Sequence, residues 1–128
     1  MIKTLPIVKL WAMGALFSLA FLCIMPEAAL GHAFPDHADP KVGATLTVSP
    51  VRVCIWFDST LEPAFSTIMV HRADGKMVDN RDGRVNSSDA KLLEVSVPRL
   101  PPGTYLVIWS VVARDGHRTN GEYTFVIK

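Results

Sequence analysis

Polar and apolar positions divide the chain near residue 31. Met1 to Lys9 carries two cations, Lys3 and Lys9, and no acid; Leu10 to Met25 is then a 16-residue run without a charge. Pro26 interrupts it, and Ala29-Leu30-Gly31 sets small residues three positions and one position before His32. A basic start, an apolar centre and a small-residue exit specify a signal peptide cleaved between Gly31 and His32. As a retained anchor the run falls short of the ~20 apolar residues that span a bilayer. Bulky Phe21 and Leu22, just ahead of Cys23, disfavour lipidation there. Residues 1–31 are therefore expected to leave as the signal peptide, and residues 32–128 to fold as one small domain.

Past residue 31 the pattern changes to short β-rich runs between turn residues. In Val51–Asp58, Val53, Ile55 and Phe57 share one face. Ser66–Arg72 is a second run, and Asp74-Gly75 reads as a tight hairpin turn leading into Lys76–Val78. Asn80 to Ala90 is polar and is expected to be an exposed loop. Lys91–Val97 alternates around Leu93, Val95 and Val97; Pro98 to Gly103 turns; Thr104–Ala113 is a long apolar strand and Gly121–Ile127 a closing one. No segment sustains an apolar stripe of period 3.6, so helix is limited to a turn near Leu61–Phe65. The prediction is an all-β chain folded as a Greek-key sandwich or barrel. Two antiparallel sheets are needed, because one sheet alone would leave an apolar face in water. Tyr105, just after Pro101-Pro102-Gly103, either makes the corner hydrogen bond common in such sandwiches or simply packs.

Charge and cysteine narrow the chemistry. Without residues 1–31, 11 basic and 11 acidic residues remain, so the domain is formally neutral. It offers no basic face for nucleic acid and no acidic tail for a basic partner. Cys54 is then the one cysteine left, and no disulfide staples the fold. It lies on the face opposite Val53, Ile55 and Phe57, where a small packed thiol is the plain reading and a copper(I) or redox role the competing one. No G-x-S-x-G or comparable context supports acyl transfer.

Two short segments could hold a metal. The expected new terminus reads His32-Ala33-Phe34-Pro35-Asp36-His37, and a terminal His offers two nitrogens, its α-amine and its ring. Near the other end, Arg114-Asp115-Gly116-His117 sets a carboxylate and an imidazole two positions apart, where a tight turn can aim both at one point. Three nitrogens and one oxygen suit tetragonal Cu(II), whereas Zn(II) more often takes a tetrahedral set with thiolates. Each part also has an ordinary reading: Asp115-Gly116 is a common turn dipeptide and His117 a plausible solvated loop residue. His37 lies close enough in sequence to fold back to the same metal, although Pro35 stiffens the path. His71, next to a turn, reads as a surface residue.

Several stretches resemble the CopC family of copper-resistance proteins. They are His32-Ala33 with Pro40 and Gly43, the strand Val51–Phe57, and Leu100-Pro101-Pro102-Gly103-Thr104-Tyr105 with Trp109. The ending Asp115-x-His117 with Gly121 and Phe125 completes the set. The likeness spans essentially all of residues 32–128. It implies an immunoglobulin-like or cupredoxin-like β-sandwich and a periplasmic, monomeric, non-enzymatic carrier of one Cu(II) ion. It further implies His32, Asp115 and His117 as ligands, and an inner-membrane copper transporter of the CopD type as a partner. One departure stands out. Some members carry a methionine-rich Cu(I) loop, but residues 32–128 hold only Met69 and Met77, too few for a thioether cage. The competing functions are a metal-free immunoglobulin-like partner-binding module and a redox enzyme built on a terminal-histidine copper brace.

Overall fold

Strand alternation decides which side chains enter the core, and the core decides how the sheets pair. The structure, a computed structural model, describes residues 32–128; the expected signal peptide lies outside the described residues. The strands are β1 (Pro35–Asp39), β2 (Thr45–Leu46), β3 (Arg52–Phe57), β4 (Thr67–Arg72), β5 (Arg84–Val85), β6 (Leu92–Ser96), β7 (Gly103–Val112) and β8 (Arg118–Ile127). They form two four-stranded sheets, ordered β1-β3-β6-β5 and β2-β8-β7-β4. Val53, Ile55 and Phe57 of β3, with Leu93 and Val95 of β6, face Ile68 and Val70 of β4, alternate residues of β7 from Tyr105 to Val111, and Tyr123, Phe125 and Ile127 of β8. Each large apolar side chain removed from water in this way contributes roughly 1.5–3 kcal/mol. Phe57 meets Trp109 edge to face across the sheets, with ring centroids 5.2 Å apart.

Tyr105 settles its two readings in favour of the corner: it is fully buried, and its hydroxyl donates to Pro101 O. The expected turn near Leu61–Phe65 is a single 3-10 turn, Pro63–Phe65. Several details differ from the sequence pattern. The β2–β8 pair is parallel, so the second sheet is not wholly antiparallel; a two-residue strand is too short to show a period. The polar stretch 80–90 holds β5, because Val85 is buried and Arg84 and Asn86 bond the buried Glu94. β8 starts at Arg118 rather than Gly121, its polar first residues being held by backbone pairing with Ser110, Val111 and Val112. β1 was not foreseen, since it is an edge strand whose residues are largely exposed.

Strand directions place the remaining chemistry. Pro35 pairs with Phe57, the last residue of β3, so residues 32–34 lie at the end of the sandwich where β3 finishes. Leu61 bridges Ala113 there, and Glu62 N–H donates to Val112 O. The β3–β4 connection and the β7–β8 hairpin therefore meet the start of the described chain at one end.

Candidate metal centre

At that end the β7–β8 hairpin turns through Arg114-Asp115-Gly116. Gly116 takes a φ of +88°, a left-handed conformation that costs glycine little and other residues much. Ala113 N–H donates to His117 O at 3.0 Å, and Gly116 N–H to Ala113 O at 2.9 Å, closing the turn. Asp115 then bonds His117 twice. Oδ1 accepts the His117 backbone N–H at 3.0 Å, and Oδ2 lies 2.9 Å from His117 Nδ1. The backbone N–H and then the ring of His117 lower the Asp115 pKa, so the carboxyl is ionised at neutral pH. An ionised carboxylate only accepts, so Nδ1 carries the hydrogen of this bond, and Nε2 is the ring nitrogen that the bond leaves unused. The same carboxylate thus shapes the turn and orients the ring, and to act as a ligand it would have to release one of these two bonds.

His32 arrives from the other sheet. Ala33 is fully buried and anchors the segment. Phe34 N–H donates to Asp58 Oδ1 at 2.9 Å, while Asp58 N–H donates to Phe34 O at 3.0 Å. Thr119 Oγ1 donates to Ala33 O at 2.6 Å. His32 is left exposed with its ring centroid 4.6 Å from that of His117. Ligand-type atoms of His32, Asp115 and His117 all lie within 4.8 Å of one another. Two imidazoles and a carboxylate in that space fit a borderline, nitrogen-preferring divalent cation.

The other candidates lie outside this cluster. His37 stacks flat on Trp56, centroids 4.5 Å apart and planes 9° apart, and its Nδ1 is 2.9 Å from Asp36 Oδ2. His71 sits on β4, facing Leu106, with its Nε2 buried and unpartnered. Cys54 is half-buried on β3 between Asp39 and Glu94. Burial, then Glu94 and Asp39, raise its pKa, which keeps the thiol protonated and disfavours it as a metal ligand. The sequence does not show the support that Asp58, Thr119 and the buried Ala33 give His32; Ala33 stands there only among the residues that carry the family resemblance. For Asp58 and Thr119 the signal is only positional: Asp58 directly follows β3, and Thr119 lies two residues beyond His117.

Residues 36–128 match the sequence model of the CopC domain. The chain belongs to the CopC family. Asp115 and His117 fall inside the matched region, and His32 lies four positions ahead of it. This CopC-family chain is 32% identical over 115 residues to the protein YobA of Escherichia coli K12, covering 88% of this chain and 93% of that one. It is 28% identical over 110 residues to the copper transport protein CutJ of Bacillus subtilis, where the match takes in 85% of this chain but 20% of the relative. Among solved structures, CopC from Methylosinus trichosporium OB3b superposes with a TM-score of 0.71 at 30% identity, covering 76% of this chain and 94% of that one. PcoC, a methionine-rich copper resistance protein from Escherichia coli, superposes with a TM-score of 0.66 at 24% identity, covering 76% and 99%, a likeness of fold.

Proposed function

We propose that the protein is a periplasmic carrier of one Cu(II) ion, released into that compartment by cleavage between Gly31 and His32. In this reading His32 binds through its α-amine and its ring, and Asp115 and His117 complete the set. Copper is cargo here, and the chain is a binder rather than an enzyme. The observation that carries the reading is the convergence of His32, Asp115 and His117, with donor atoms within 4.8 Å, in a chain of the CopC family. Copper as the metal rests on the donor chemistry and on relatives described as copper transport and copper resistance proteins.

The chain's own residues do three things in this mechanism. Asp115 holds His117 by its Nδ1 hydrogen and leaves Nε2 free to bind. An ion taken at the carboxylate would replace the bond from Asp115 Oδ2 to the ring. Ala33 and Asp58 hold the terminal arm so that His32 meets His117. All three proposed ligands are exposed, so an acceptor such as a CopD-type inner-membrane transporter could reach the ion without the sandwich opening. The protein would act as a monomer. The test is to purify the chain after native export, sequence its amino terminus, and record copper stoichiometry with an EPR spectrum. A start at His32, one Cu(II) per chain and a nitrogen-rich tetragonal signal are expected; protein that takes up no copper would refute the reading.

A further inference from the structure

We infer that Thr119 is a positioning residue for this centre, its hydroxyl latching the arm that carries His32 to the strand that carries His117. The inference rests on the Cu(II) reading above and adds a residue to it. His117 stands at the root of a closed hairpin, with its ring and backbone both bonded to Asp115. His32 is different. In the processed chain it would be the first residue, with nothing before it to hold it, and chain ends fray unless tied down.

His32 itself is held only by one long bond, from Ser59 Oγ to its carbonyl oxygen at 3.5 Å; the shorter ties begin one residue later, and they come from both sides of the sandwich. From the β3 side, Asp58 exchanges two hydrogen bonds with Phe34. From the β8 side, Thr119 Oγ1 donates to Ala33 O at 2.6 Å. Thr119 is half-buried, pairs with Val111 in the β7–β8 ladder, and lies two residues from His117 on the same run of chain. Among the described residues, the Thr119 bond thus joins the two ligand-bearing segments directly, from β8 to the arm that precedes β1. With the Ala33 side chain fully buried beneath it, the latch fixes the point from which His32 departs. A chelate assembled from two separate segments loses affinity when either must first be ordered, because the ordering cost is then charged to binding.

The test compares Thr119→Val, which keeps the branched shape but cannot donate, with Thr119→Ser, which keeps the donor. Both are prepared with His32 as first residue. Loss of one ordering hydrogen bond should weaken Cu(II) binding about tenfold in Thr119→Val, and Thr119→Ser should bind within about threefold of the unaltered protein. The Cu(II) EPR signal of Thr119→Val should be heterogeneous, a change that a purely structural role, lowering only the melting temperature, would not produce. Should Thr119→Val fail to fold, Thr119→Ala removes the hydroxyl without the added methyl and carries the same expectation. Equal affinity and an identical spectrum in the donor-less variants, or equal weakening in Thr119→Ser, would overturn the latch. If the unaltered protein takes up no Cu(II), the copper reading fails first, an outcome visible before any variant is made.

Discussion

Asp115 spends one oxygen on the His117 backbone and the other on the His117 ring, and this division sets how its loss should differ from loss of His117. His117→Ala removes an imidazole outright and should weaken Cu(II) binding by orders of magnitude in a competition titration against a chelator. Asp115→Asn keeps an acceptor for the turn and should cost less, leaving a measurable site. His71→Ala should leave copper affinity unchanged, since His71 lies on β4 outside the cluster. Gly121 carries a different constraint. A Cβ there would lie 2.6 Å from Trp109 Cζ2, and the Trp109 ring is buried against Phe57. Gly121→Ala should therefore destabilise the fold by about 1–3 kcal/mol, as overpacking commonly does, seen as a melting temperature lower by several degrees. His32, Asp115 and His117 could be singled out from the sequence as candidates only through the resemblance to the CopC family, since each alone has an ordinary reading. Asp58 and Thr119 could not, since a hydrogen bond from a side chain to a distant backbone leaves no spacing to read.

The hairpins and loops are pinned by aspartates at their turns. Asp74 is lowered to about 2, first by the Arg72 side chain and then by the Lys76 N–H. Asp82 is lowered by the Ser96 hydroxyl and N–H, and Asp115 by the His117 N–H and ring. A pKa depressed by folding gives stability that is fully present above the unfolded value, near 3.8, and is lost as pH falls through the folded value. The urea midpoint should therefore hold above about pH 5 and decline from about pH 4 toward pH 2. Asp74→Asn and Asp82→Asn should each flatten that decline, modestly because the groups are exposed. A midpoint unchanged down to pH 2 would contradict the assignment. Strands β3 and β7 follow from period-two burial, and β6 from the alternation of Leu93, Val95 and Val97, and these could be foreseen. β5 could not, because one buried Val85 and the Arg84–Glu94 pair hold it in an otherwise polar stretch. Nor does Lys76–Val78 become a full strand: Asp79 Oδ2 takes the Val70 N–H at 2.8 Å, and a single bridge joins His71 to Met77.

Residues 32–128 form a sandwich with the candidate site at one end, and that arrangement brings the first described residue, His32, beside the β7–β8 hairpin. A neutral domain of this size gives no charge pattern to identify its ligand, so function had to be read from the two short segments that the fold brings together. Before cleavage the nitrogen of His32 would be an amide joined to Gly31, a poor donor; afterwards it would be a free amine able to chelate with its own ring. On the proposed reading, export would thus create the strong site only in the compartment where a carrier would act. The most direct measurement compares Cu(II) affinity of protein that begins at His32 with protein carrying one extra Gly ahead of it, both folded as judged by circular dichroism and melting temperature. The extended protein should bind Cu(II) orders of magnitude more weakly, with fewer nitrogen couplings in its EPR spectrum. Equal affinity and identical spectra in the two proteins would show that the terminal amine is not a ligand and would contradict the account.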